Sequence, residues 1–310
     1  MLEGLARYAK EAGWWLDLGL AGHGMQIPER WDGDGIIGLI GRSAELRKLI
    51  EVSALPTVLL SMDPADLACP RVATDHDAIV TEAVAHFEAQ RFIRYIVFDV
   101  MDSPTQLSRN KKFVEQVRAR GHECLVFKPK HAIADGVVPV SVVNEMAEFL
   151  RSQSKPVAVF CAQDDFAQFV LVAAAQAGAK VPDEIAVLGV NNDHLLCDFS
   201  EPTLSSVDTR QSELGYRGAE TLDKLMNGEA VPPMTKIAPL GVVARRSTEI
   251  WATDDLLARS ALNFIWSSYR SGLQVSDVAK EAGGLQGGPK QQVSTRIQYQ
   301  RERRDQSPAY

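Results

Sequence analysis

The run Ile185-Ala186-Val187-Leu188-Gly189-Val190 has no polar break, and it empties at once into Asn191-Asn192-Asp193. An apolar run of that length predicts a strand buried on both faces, as in a parallel sheet covered by helices. In open α/β sheets ligands sit beyond the carboxyl ends of such strands, which makes the polar knot a candidate site. Taken alone, the knot reads equally well as an ordinary Asx turn. A short amphipathic piece at 195–197, a Glu201-Pro202 break and a second short strand at 204–207 come after it.

The rest of the chain gives the context. Leu2, Leu5, Ala6, Ala9 and Ala12 form a helical stripe over 2–12, stopped at Gly13. Strands are expected at 15–20, 35–40, 57–60, 71–75, 95–99, 124–127, 157–161 and 237–243. Helical patterns over 43–53, 76–90, 106–120, 141–152, 165–177 and 211–227 separate them, and Asn227-Gly228 caps the last. Strands alternating with helices of this length mean βαβ units and a parallel sheet, so the fold class is α/β. From Thr253 the pattern becomes all-α. One helix is expected from an N-cap at Thr253 to Gly272, and a short second one over 276–283. Together they suggest the opening of a helix-turn-helix. Residues 284–310 have no apolar periodicity and carry a surplus of arginine and lysine, which reads as a disordered basic tail.

At 310 residues, two domains or one bilobed unit is the natural size. A net charge of -7 argues against a chain that coats nucleic acid along its length, but not against a small DNA-reading module on an acidic sensor. No apolar run approaches the roughly 18 to 20 residues that cross a bilayer, and the start has no apolar signal region, so no membrane is involved and the cytoplasm is expected. Cys69, Cys124, Cys161 and Cys197 are scattered beside apolar segments, as small buried thiols rather than a metal site. No catalytic serine, zinc-protease or phosphate-loop motif is present, so no enzyme, cofactor or metal is expected.

The segments LEGLARYAKEAGWW, GDGIIG, VATDHDAIV, VPDEIAVLGVNNDHLLCDFSEPTLSSV, LGYRGAETLDKLMNG and VVARRST together resemble the bacterial xylose operon regulators, over residues 1 to about 283. The resemblance implies a periplasmic-binding-protein-like sensor of two α/β lobes over 1–248, followed by part of an AraC-type DNA-binding domain over 249–283. Lobe one would comprise 1–91 plus 208–231, and lobe two 92–207 plus 232–248, with crossings near 90–92, 205–208 and 231–234. It further implies a sugar effector, xylose or a similar pentose, a homodimer, and operator DNA as partner. Both ends depart from the family. Its members begin with a strand and loop before the LEGLARYA helix, and GGLQGGPKQQ stands here where a recognition helix belongs. The departures read as a displaced start plus a frameshift, or a decaying gene, and argue against operator binding by this chain.

Sugar recognition uses charged or amide groups that grip adjacent hydroxyls. By resemblance the candidates are Arg109, Gln163, Asp164, Asn191 and Asp75. Arg109 precedes Phe113 as the family's ligand arginine precedes its helix aromatic; the alternative is a solvated arginine beside Lys111 and Lys112. Asp164 serves equally as a helix cap, and so does Asp75. Asn191 stands where the family usually carries aspartate, which removes a negative charge. Trp14 and Trp15 supply either a stacking wall or core packing. Two readings compete with the regulator: a sugar-binding module without DNA activity, and an α/β enzyme.

Overall fold

A computed structural model describes residues 1–17, 33–39, 44–62, 67–99, 103–130, 138–249, 261, 264–265 and 273–281. The chain divides into two compact units, Met1–Ile250 and Trp251–Tyr310. Residues 15–17 of the expected strand over 15–20 are not a strand, and 18–20 lie outside the described residues, as do most of the expected helix from Thr253 and all of the basic tail.

Within the first unit, helix α1 (Leu2–Ala12) is followed by β1 (Ile36–Gly38), α2 (Ala44–Ser53), β2 (Thr57–Leu59), β3 (Arg71–Thr74) and α3 (His76–Ala89). Next come β4 (Arg94–Phe98), α4 (Pro104–Ala119), β5 (Glu123–Phe127), α5 (Val140–Ser152), β6 (Val157–Phe160), α6 (Asp164–Gln176), β7 (Ile185–Val190) and the short α7 (His194–Asp198). The unit closes with β8 (Ser205–Asp208), α8 (Gln211–Met226), β9 (Met234–Ile237) and β10 (Gly241–Val243). Two sheets form, in the orders β1-β2-β3-β9 and β10-β8-β7-β6-β4-β5. All described pairings are parallel except β10 with β8. The expected α/β two-lobed architecture is therefore present.

Strand β7 is buried at all six positions because both faces of its sheet are covered. Ile185 and Val187 pack with α5 and α6, while Ala186, Leu188 and Val190 pack with α3 and α4. On that second face Phe113 stacks on Phe160 at 4.3 Å and 3°. The stack fixes α4 and with it Arg109, one turn earlier on the same face. In lobe one, α1 and α8 cross at backbone contact: a Cβ on Gly4 would meet the Ser212 carbonyl oxygen at 1.8 Å, and one on Gly215 the Met1 carbonyl oxygen at 2.1 Å. Tyr8 and Tyr216 then reach across, to Asp223 at 2.9 Å and Glu11 at 2.8 Å.

The lobe crossings differ from those expected. Ile79, Val80, Ala83, Val84 and Phe87 of α3 lie in the core beneath the six-stranded sheet, so the chain changes lobes at Asp75 rather than near 90–92. The second crossing follows β8, at Thr209-Arg210, because α8 packs on the first sheet. The single strand expected over 237–243 is two strands in different sheets. Met234–Ile237 pairs with Arg71–Thr74, and Gly241–Val243 pairs with Ser206–Asp208. Pro239 cannot donate to a ladder, and Gly241 takes φ 108°, so the third crossing falls at 238–240 rather than 231–234.

In the second unit, helix α9 (Val275–Glu281) starts one residue before the expected one. The Asp277 carboxylate accepts from the Gln274 backbone N–H at 3.0 Å, half of a capping box. Val278 packs with Ala261, Phe264, Ile265 and Leu273.

Candidate functional site

The carboxyl ends of β6, β7 and β8 face the amino-terminal ends of α1 and α8 across an open cleft of about 830 Å³. Its lobe-two wall carries Gln163, Asp164, Asp165 and residues 191–196; its lobe-one wall carries Met1, Glu3 and residues 210–213. Asp208, at the end of β8, and Leu240, in the third crossing, complete the lining.

Asn191 is the hub of the floor. It follows β7 with φ 115°, and Asn192 follows it with φ 54°; side-chain amides tolerate such backbone better than most residues. The Asn191 Oδ1 accepts from Arg109 Nη1 at 3.4 Å, Thr209 Oγ1 at 3.3 Å and Gln211 Nε2 at 3.3 Å. Gln211 belongs to lobe one, so this oxygen is held from both lobes.

Arg109 lies behind that hub, 2% exposed, and is not on the cleft wall. The solvated-arginine alternative is excluded by this burial. Its Nη1 also donates to the Ala162 carbonyl at 2.8 Å, and its Nη2 donates to Thr74 Oγ1 at 3.2 Å, which ties α4 to the end of β3. Burial pulls its pKa down to about 10, opposed by Asp164, so it stays charged at neutral pH. Its Nε is buried without a hydrogen-bond acceptor among the described residues.

Gln163 is at the N-cap position of α6, and its Oε1 accepts from the buried Gln106 Nε2 at 2.7 Å. Asp164 is 2% exposed although it touches the cleft. Its two oxygens accept from Ser206 Oγ at 2.5 Å and the Asp193 backbone N–H at 2.8 Å. Burial raises its pKa against those bonds. Gly189 makes room for it, since a Cβ there would lie 2.3 Å from Oδ1. Asp164 thus staples β7 and β8 together beneath the knot. Asp75 caps α3, accepting from the Asp77 and Ala78 N–H groups at 3.0 and 3.3 Å, and is not on the cleft wall. Trp14 packs in the lobe-one core edge-on to Tyr8 at 5.4 Å, whereas Trp15 is 88% exposed.

Gln106, Ser206, Thr209 and Gln211 were not among the expected residues. A signal existed for one pair: Ser205-Ser206 puts two hydroxyls into an otherwise apolar strand, a cost that only buried partners offset. Among the described residues no group of three metal-ligating side chains occurs, and no helix is long and apolar enough to cross a membrane. None of the four cysteines is in a disulfide; Cys124, Cys161 and Cys197 are buried and Cys69 is half-buried.

Comparison with known proteins adds the lineage. The xylose operon regulatory protein of Haemophilus influenzae is 26% identical over 227 residues, covering 70% of this chain and 58% of that protein. The HTH-type transcriptional regulator GntR of Escherichia coli is 31% identical over 228 residues, covering 68% of this chain and 62% of that protein. The chain thus spans less than two thirds of the length of these curated relatives. A solved xylose-binding transcription activator superposes with a TM-score of 0.71 at 21% identity, over 96% of this chain and 77% of that one. The expected resemblance to the xylose regulators is borne out. Residues 84–248, just over half of the chain, match the periplasmic binding protein-like domain, and the chain belongs to that family.

Proposed function

We propose that this chain is the sensor of a sugar-responsive transcription regulator of the xylose-regulator type, and that it closes its two lobes on a neutral pentose. The supporting observation is Arg109. A charged side chain this buried normally has every N–H paired, yet its Nε has no acceptor among the described residues, and it lies directly behind Asn191. Arg109 is off the cleft wall in the open arrangement; in the proposed closed arrangement a ligand hydroxyl supplies the acceptor that the Nε–H lacks. Asn191 and Gln163 then present amides from lobe two, Gln211 reaches from lobe one, and Asp164 and Asp75 hold the strand end and α3 in place. Closure follows if the sugar binds the closed arrangement better than the open one. The regulator is cytoplasmic, non-enzymatic and homodimeric in this reading. The helix Val275–Glu281 belongs to the start of an AraC-type DNA-binding region; the GGLQGGPKQQ segment that stands in place of the expected recognition helix lies outside the described residues.

Calorimetric titration with D-xylose, L-arabinose, D-ribose and D-glucose tests the sensor. Binding of at least one pentose is expected. Arg109→Met should weaken it by about 10- to 100-fold, the loss of one charge-assisted hydrogen bond of roughly 1.5–3 kcal/mol. Absence of heat with every sugar refutes the reading. A sugar-binding module without DNA activity is the second reading, and sequence-specific, salt-sensitive retention of upstream DNA by this chain would exclude it.

A further inference from the structure

The segment that leaves the sensor is tied to the cleft by one side chain. We propose that Arg245 is a positioning residue that carries the state of the cleft floor, through Asn192, into the exit segment at residues 245–249. Asn192 adjoins the hub residue Asn191 and is 8% exposed. Its backbone N–H and both side-chain polar atoms are engaged: N–H to Ser206 Oγ at 2.9 Å, Nδ2 to Asp208 Oδ2 at 3.1 Å, and Oδ1 accepting from Arg245 Nη1 at 3.0 Å. The same guanidinium donates through Nε to Asp198 at the end of α7 at 2.8 Å, and through Nη1 to the Leu204 carbonyl at 3.1 Å. Arg245 thus reads the whole turn between β7 and β8.

Immediately after Arg245 the chain forms a buried polar clasp, with Ser247 and Thr248 both 0% exposed. Ser247 Oγ donates to the Val187 carbonyl at 2.6 Å, and its backbone carbonyl accepts from Val187 N–H at 2.9 Å. Thr248 meets Ser205 Oγ at 2.7 Å and His86 Nε2 at 2.8 Å, and its carbonyl accepts from Gln90 Nε2 at 2.6 Å. Apolar packing permits small sliding; buried hydrogen bonds are either made or lost at a penalty. The clasp therefore has discrete arrangements, and the Asn192–Arg245 bond links their choice to the residue beside the cleft hub. The sugar-dependent part of this inference rests on the proposed sensor reading, whereas the linkage itself does not.

Backbone hydrogen exchange on the full chain, read at the peptide spanning residues 243–249, separates the two. Without sugar, Asn192→Ala should speed exchange of the Ser247, Thr248 and Glu249 amides by about tenfold or more. Arg245→Gln should in turn speed exchange at Asn192 and Asp193. Ser200→Ala, which disturbs α7 without touching Arg245, should leave the exit peptide within about twofold of wild type. An exit peptide equally protected in wild type and Asn192→Ala overturns the proposal. If Asn192→Ala unfolds the chain globally, Arg245→Lys supplies the same readout, because an ammonium cannot hold Asn192 and Asp198 together. With D-xylose present, wild-type exchange at 247–249 should change by at least threefold, and Arg245→Gln should bind the sugar without that response. If wild type does not bind D-xylose, the choice of sugar fails, while the sugar-free arm still decides the linkage.

Discussion

His76 and His86 fold as neutral imidazoles, so mild acid should weaken the protein through them. Burial lowers His76 from 6.5 to about 4, helped by the Arg109 and Lys112 charges and opposed by Asp75 and Asp77. Burial alone takes His86 from 6.5 to about 4. Each is held neutral by its surroundings: His76 Nδ1 lies 3.1 Å from Ser108 Oγ, and His86 Nε2 lies between Thr248 Oγ1 and Gln90. A folded pKa below the unfolded one gives stability that is full above pH 6.5 and is lost as pH falls towards 4. Between pH 7.5 and 5.5 the unfolded histidine gains most of a proton that the folded one refuses, which costs on the order of 1 kcal/mol per residue. The pair therefore removes roughly 2–3 kcal/mol, a large part of a typical folding free energy. Asp164 and Asp165 work in the opposite direction, since burial raises both, and so the test must be a difference. Urea unfolding at pH 7.5 and 5.5 should show the loss in wild type and at most half of it in a His76→Gln/His86→Gln variant. Equal losses in the two proteins would refute the assignment.

Three further outcomes rest on the packing. Gly215→Ala drives a methyl into the Met1 carbonyl and should lower stability by about 1–3 kcal/mol, seen as a fall in Tm; an unchanged Tm means that the helices are not in backbone contact. Ser206→Ala strips a donor from the buried Asp164 carboxylate and an acceptor from Asn192 N–H, and should cost about 2–3 kcal/mol in urea unfolding. Asn191→Asp places a negative charge against Arg109 and should tighten pentose binding several-fold by calorimetry; weaker binding would show that the amide N–H is what the sugar needs.

The core strands were legible because a strand buried on both faces needs an apolar run, and β6 and β7 have little else. The lobe to which α3 belongs was not legible. An apolar stripe says that a helix packs, not which of two sheets it packs on. The break between β9 and β10 could have been read from Pro239 and Gly241, and an unbroken apolar reading of 237–243 overrode them. At the site, Asn191 and Asp164 were visible as polar residues at strand ends. Their division of labour was not, because it depends on Ser206 and Asp193, brought to Asp164 by the pairing of β6, β7 and β8, and on Gln211, brought to Asn191 by a lobe crossing. Gln106 shows the limit most clearly: it is 2% exposed, holds Gln163, and has no motif around it.

The interleaving of the two sheets has a consequence for how the chain is made. Strands β4 to β8 of the second sheet run consecutively from residue 94 to 208, with four neighbouring pairs among them and only the edge strand β10 still to come. The first sheet is different, because β3 receives its second neighbour, β9, only at Met234–Ile237. During synthesis the earlier-begun lobe must therefore wait, one edge open, while the later-begun lobe assembles, since long-range pairing cannot precede its partner. The lobe whose strands come first in the chain thus closes its sheet only after five of the other lobe's six strands have been made.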